Sequence, residues 1–221
     1  MLCQQDRIGE CHSSERRVYD RGVENGPELD VTIFVLAGGK STRMGKDKAF
    51  VEFEGRTLLA RSLDLARSVS ASVRIVGSRE KFAPFAPVVE DVFRDCGPLG
   101  GIQAGLRASP TDINLILAVD MPFLSRALLE FLIEQARGTP AIVVVPRCDG
   151  GRQPLCAVYR REFGAAAENA LRAGHNKIDL LFETVHTRVI EESELENAGF
   201  ASKMFSNLNT PEELEAQRRR A

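Results

Sequence analysis

From Val31 onward the chain alternates short aliphatic runs with stretches whose apolar residues recur every three or four positions, the pattern of strands interleaved with helices. The first run, Val31-Thr32-Ile33-Phe34-Val35-Leu36, is apolar apart from one Thr and rich in β-branched residues, as suits a parallel strand covered on both faces. After a turn at Gly55, Leu58, Leu59, Ser62, Leu63 and Ala66 share one helical face, and Val73-Arg74-Ile75-Val76 predicts a second strand. Val88-Val89 leads into Glu90-Asp91, a loop from Gly97 to Gly101 precedes a helix near Ile102 to Ala108, and Leu115 to Val119 reads as another buried strand. Helices at about Ser125 to Ala136 and Ala165 to Arg172, and a strand at Ile142 to Val145, continue the alternation. Thr210-Pro211-Glu212-Glu213 opens a last helix with an N-cap, a Pro at the first position and a capping-box Glu. The prediction is an α/β fold: a single-domain, mostly parallel, doubly wound (Rossmann-like) sheet with helices on both faces.

Residues 1 to 29 break the pattern. Polar and charged residues dominate there and apolar ones occur singly, so burial cannot offset ordering entropy and a disordered tail is expected, with residues 30–221 forming the domain. With 221 residues, 43% hydrophobic and 27% charged, the chain is long enough to bury a substantial core. A net charge of −2 gives no global attraction to nucleic acid or anionic lipid, so neither nucleic acid nor membrane is expected as a partner. Five cysteines without a C-x-x-C pair, and no apolar run of spanning length, fit reduced thiols in a cytoplasmic protein.

The first strand runs into Leu36-Ala37-Gly38-Gly39-Lys40-Ser41-Thr42-Arg43-Met44-Gly45-Lys46-Asp47-Lys48. Glycines let phosphate oxygens approach backbone N–H groups, Arg43 offers a planar fork, and Lys46 and Lys48 offer compact charges. A loop of this composition leaving the carboxyl end of a core strand lies where ligands bind in open α/β sheets. Neither G-x-x-x-x-G-K-[ST] nor G-x-G-x-x-G fits the spacing, so a P-loop ATPase and a dinucleotide-binding dehydrogenase lose support. Asp120 follows a strand of aliphatics on the same edge, and a carboxylate there suits Mg²⁺, which takes one or two carboxylates plus waters and phosphates. Ser125 is the better cap for the next helix. Asp91 reads equally well as a site residue or as the partner of Arg94 in a surface ion pair. His12, His175 and His186 form no acyl-transfer triad with a Ser or Cys.

The order LAGG, RMG, DK, then Val89-Glu90-Asp91, Gly97-Pro98-Leu99-Gly100-Gly101, Val119-Asp120-Met121-Pro122, Gln153-Pro154-Leu155 and Asn207-Leu208-Asn209-Thr210-Pro211 resembles the molybdenum cofactor guanylyltransferases (MobA-type) of the Rossmann-like nucleotidyltransferases. The resemblance covers roughly residues 31 to 217. It implies the nucleotide-diphosphosugar-transferase type of fold, with Leu36, Ala37, Gly38, Gly39, Lys48, Asp91 and Asp120 binding nucleotide. Lys48, Arg43 and Asp120 would be catalytic, with Mg²⁺ on Asp120, and Gln153, Asn207 and Asn209 would face a pterin. The implied reaction moves GMP from GTP to the terminal phosphate of molybdenum-bound molybdopterin, and the implied further partners are molybdenum-insertion proteins and acceptor apoenzymes. Where some members carry an Asn after the second strand, this chain reads Val76-Gly77-Ser78, leaving base contact there to the backbone or Ser78. The rivals are a CTP-dependent sister enzyme, which resembles LAAG where this chain has Gly39, a non-catalytic nucleotide-binding module, and a sugar-phosphate nucleotidyltransferase.

Overall fold

In the computed structural model, residues 30–38, 47–93 and 95–208 are described. The elements are β1 (Val31–Leu36), a 3₁₀ turn (Lys48–Phe50), the hairpin β2 (Glu52–Phe53) and β3 (Arg56–Thr57), and α1 (Leu58–Arg67). β4 (Ser72–Val76), α2 (Arg79–Phe82), β5 (Val88–Val89), α3 (Pro98–Ala108), β6 (Ile113–Ala118) and α4 (Arg126–Arg137) follow. The remainder comprises β7 (Val143–Cys148), β8 (Gly151–Arg152), β9 (Cys156–Arg160), α5 (Phe163–Arg172), α6 (Ile178–Phe182), β10 (Thr187–Ile190), α7 (Glu192–Asn197) and a 3₁₀ turn (Ser202–Phe205).

The main sheet has the order β10-β7-β9-β6-β1-β4-β5, with β8 paired to β7. β6, β1, β4 and β5 are mutually parallel, while β9 runs antiparallel to both β6 and β7. Strand alternation divides the core between two faces. Ile33, Val35, Leu115 and Leu117 pack with α1 and α4, whereas Phe34, Ile116, Val143 and Tyr159 pack with α3, α5 and α6. This is the two-sided burial expected of Val31–Leu36. Its one polar residue, Thr32, is fully buried and satisfied: its N–H donates to Thr111 Oγ1 (3.0 Å), and its hydroxyl bonds Thr111 (2.9 Å).

The predicted face of α1 is the buried one, and Ser125 caps α4 by accepting the Leu128 N–H (3.3 Å). One prediction is corrected. Gly97 to Gly101 is not a loop before a helix at Ile102, because α3 already begins at Pro98. Gly97 turns the chain at φ 67°, Pro98 supplies a φ suited to a first helical position, and the glycines run inside the helix because they lie against neighbours. A Cβ on Gly101 would touch Val76 Cγ1 at 3.4 Å. The turn read at Gly55 is the bend of the β2–β3 hairpin. The tail 1–29 and the helix predicted from Thr210 lie outside the described residues.

Candidate active site

Backbone hydrogen bonds continue past the strand ends and assemble one edge. Ala37 N–H donates to Val76 O (3.0 Å), Val119 N–H to Leu36 O (3.1 Å) and Gly77 N–H to Val89 O (3.0 Å). On the antiparallel side Ala118 N–H donates to Leu155 O (2.8 Å), so the turn that carries Gln153 meets the same edge. Leu208 N–H donates to Asp120 O (2.9 Å), which sets Asn207 one residue from a direct contact with Asp120's own backbone. Thus Leu36, Ala37, Gly38, Asp120, the segment before β9 and the segment before residue 209 converge, although they are spread over most of the chain.

At the centre, Lys48 Nζ lies 2.8 Å from Asp120 Oδ2, a half-buried pair. Lys48 stands on the 3₁₀ turn, which Asp47 caps by accepting the Ala49 N–H at 3.2 Å. Ala49 is fully buried and anchors that turn against the core. Asp120 follows β6 directly, where the aliphatic run ends. The pair offers a cation able to track phosphate charge and a carboxylate able to take a divalent cation. Among the described residues no group of three or more His, Cys, Asp or Glu is arranged to hold a metal ion. A single carboxylate such as Asp120 suits a divalent cation whose other positions are filled by phosphates and water.

Asp91 lies beside the start of α3. Its Oδ1 accepts the Phe93 N–H (2.8 Å), and a Cβ on Gly100 would come within 2.6 Å of its Oδ2. Burial raises the carboxyl above its ordinary range, partly offset by the Phe93 N–H. Gly100 thus keeps backbone and carboxylate in close approach at a helix N-terminus, where unpaired N–H groups favour anions. Arg94, the alternative partner for Asp91, is outside the described residues, as are Gly39, Arg43 and Asn209. Gln153 sits in the β8–β9 turn, its backbone N–H donating to Pro146 O (2.8 Å). Ser78 precedes α2 without a side-chain capping bond.

Two features escaped sequence reasoning. The first is Gly77, whose added Cβ would meet the Phe82 ring at 2.8 Å. The second is Lys81, whose Nζ lies 2.9 Å from Asp47 Oδ2 across 34 positions of sequence. A lone Lys in a four-residue helix carries no motif, so nothing local signalled it. Cys148 and Cys156 are buried, and burial raises both well above the ordinary thiol range, to about 11 for Cys148.

In this doubly wound sheet the lysine–aspartate pair beside the carboxyl ends of the central strands lies where open α/β sheets bind ligands, and its charges suit a phosphorylated one. A model of the MobA-like NTP transferase domain matches residues 33–188, and the chain belongs to that family. A molybdenum cofactor guanylyltransferase of Syntrophotalea carbinolica is 33% identical over 188 residues, 84% of this chain and 89% of the relative. Another, of Desulfosudis oleivorans, is 36% identical over 188 residues, covering 84% and 93%. Among solved structures, the molybdopterin-guanine dinucleotide biosynthesis protein A of Archaeoglobus fulgidus is similar with a TM-score of 0.75 at 26% identity, covering 85% of this chain and 97% of that one. Among the described residues no helix is long and apolar enough to cross a membrane.

Proposed function

We propose that this nucleotidyltransferase moves GMP from GTP to the terminal phosphate of molybdenum-bound molybdopterin, yielding the guanine dinucleotide cofactor and pyrophosphate. An oxygen of the pterin phosphate attacks the α-phosphorus of GTP, the new P–O bond forms, and the bond from the α-phosphorus to the bridging oxygen breaks with pyrophosphate as leaving group. The observation that carries this reading is the Lys48–Asp120 pair, 2.8 Å apart at the carboxyl ends of β1 and β6, together with the names of relatives that match over four-fifths of the chain.

Lys48 leaves Asp120 for the triphosphate and neutralises charge that builds on it, while the Gly38 backbone lets the phosphates come close. Asp120 would hold Mg²⁺, which when bound supplies Lewis-acid stabilisation of phosphate charge. Asp91 borders the nucleotide, and Gln153 and Asn207 face the pterin. Arg43, Gly39 and Asn209 join these groups by their places in the motifs. Such transfer asks for positioning and electrostatics and needs no covalent enzyme intermediate. Molybdenum-insertion proteins supply the pterin, and acceptor apoenzymes take the product.

The test is pyrophosphate release from the full chain with Mg²⁺ and molybdenum-loaded molybdopterin, comparing GTP, CTP and ATP. Release with GTP alone is expected, reduced by roughly 10²-fold or more in Lys48→Ala, the scale for removing one preorganised electrostatic group. Release with CTP would transfer the assignment to the cytidylyl enzyme. Full activity in Lys48→Ala would remove that residue from the mechanism.

A further inference from the structure

We infer that Lys81 is a positioning residue for Lys48, acting through Asp47 to fix the turn from which the Lys48 side chain departs. The inference rests on the proposed role of Lys48 at the nucleotide phosphates. Asp47 divides its carboxylate between two tasks. Oδ1 accepts the Ala49 N–H (3.2 Å) and caps the 3₁₀ turn, while Oδ2 pairs with Lys81 Nζ at 2.9 Å. The second bond stops the carboxylate from rotating out of its capping position.

The far end of the same turn is braced by the same helix. Phe50 stacks on Phe82 with ring centroids 5.8 Å apart, and also meets Phe85 at 5.9 Å. Lys48 therefore lies between an ionic brace at Asp47 and an aromatic brace at Phe50, both reaching from or just beyond α2. That helix is itself anchored: Phe82 is buried against Gly77 at the end of β4, and its N–H donates to Ser78 O (3.0 Å). The segment that follows β4 is thus tied through α2 to the turn that carries Lys48.

This arrangement matters because a lysine side chain has four freely rotating bonds, so its head can be aimed only if its backbone is held. The Asp47 bond and charge raise the Lys81 amine above its ordinary range. An exposed ion pair adds little to global stability. Its loss should therefore appear at Lys48 and in turnover, and leave the melting temperature nearly unchanged.

Two readouts on the full chain test this. Lysines are acetylated with acetic anhydride and followed by mass spectrometry, with Lys177 and Lys203 as internal references, and pyrophosphate release gives kcat and KM for GTP. In Lys81→Met, Lys48 is expected to acetylate several-fold faster relative to the references. kcat should fall about tenfold with KM for GTP changed less than about twofold, as a small misplacement of a catalytic group would cause. Lys81→Arg should restore both. Asp47→Asn, which keeps the capping oxygen, should reproduce the defect, and adding it to Lys81→Met should cost nothing more. Unchanged Lys48 acetylation in Lys81→Met, or a defect that Lys81→Arg leaves in place, would overturn the inference. A parent protein that releases no pyrophosphate would instead refute the proposed function, while the acetylation rates still decide whether Lys81 holds Lys48.

Discussion

The two sides of the sheet are joined in different ways. On the side that carries the candidate site, formed by β1, β4, β5, β6 and α3, two glycines lie so close to their neighbours that a side chain has no room. A Cβ would meet Phe82 at 2.8 Å from Gly77 and Asp91 Oδ2 at 2.6 Å from Gly100. On the flank built from β7 to β10 and α5 to α7, Gly150, Gly151, Gly174 and Gly199 have nothing within 4 Å of such a Cβ, and only Gly164, where α5 meets α3, is tight, at 3.3 Å from Leu106 Cβ. There, elements distant in sequence are linked by partly exposed arginine–carboxylate pairs, Arg147–Glu191 at 3.1 Å and Arg152–Glu183 at 2.6 Å. Close backbone approach forms an edge where amides can face a polyphosphate. Partly exposed arginine pairs add little to stability and leave the backbones they join farther apart.

The comparison is broken most directly at Gly100. Gly100→Ala would drive a methyl into Asp91 Oδ2 and to 2.8 Å from Phe93 O, and neither backbone oxygen nor bonded carboxylate can yield cheaply. A loss of about 3 kcal/mol is expected, near the upper range for overpacking, even after the gain from replacing a helical glycine. The KM for GTP should rise steeply with it. The adjacent Gly101→Ala meets only Val76 Cγ1 at 3.4 Å and Leu36 Cδ2 at 3.5 Å, ordinary contact distances, and should keep the parent's melting temperature within a few degrees. Thermal unfolding of the two variants side by side decides the matter. Equal stability would mean that close approach is not what constrains α3.

A smaller effect of opposite sign sharpens the same side. Burial holds the Asp91 carboxyl above its ordinary value of 3.8, with the Phe93 N–H partly opposing. The folded chain thus binds this proton more tightly than the unfolded one. Asp91 therefore costs stability once pH rises through its folded value, and the cost disappears in acid. Asp91→Asn removes the charge and keeps an oxygen for the Phe93 N–H. Its melting temperature should exceed the parent's at about pH 7.5 and converge with it near pH 4, while GTP turnover falls. A variant less stable than the parent at neutral pH would show that the carboxylate is gaining more from its neighbours than burial costs it.

What could be read from the chain follows the same division. Val31–Leu36, the buried face of α1, the Ser125 cap and the place of Asp120 were legible, because each is set by local periodicity or by one residue's chemistry. The start of α3 was not. Gly97, Gly100 and Gly101 read locally as a loop, and only Asp91, Val76 and Leu36, brought up by the sheet, explain two of them inside a helix. On the flank, the reversed direction of β9 carries no local mark, since Cys156–Arg160 is buried at all but its last residue, as a central parallel strand would be. β10 gains its place only by pairing Thr187–Ile190 with Val143–Pro146. Within the candidate site, Lys48 and Asp120 were singled out through motif and strand end, and the structure pairs them. The bond from Leu208 N–H to Asp120 O, which brings Asn207 in, and the Lys81–Asp47 pair join residues far apart in sequence, and no single segment announces them.

The flank supplies the smallest expected effect. Arg188 on β10 pairs with Glu194 on α7 at 2.5 Å, with about a third or more of each side chain exposed. Arg188, followed by the Glu191 N–H, holds the Glu194 carboxyl below its ordinary range. Because the folded value lies under the unfolded one, the pair's contribution is present at neutral pH and is lost as pH falls through the folded value. Exposure and solvent screening keep it small. Arg188→Met should cost about 0.5 kcal/mol at neutral pH, less in high salt, with kcat and KM for GTP unchanged. Chemical unfolding at two salt concentrations, run beside the pyrophosphate assay, separates the outcomes. If turnover fell while stability barely moved, β10 and α7 would be acting on the site through β7, and the flank would have to be counted as part of the catalytic architecture.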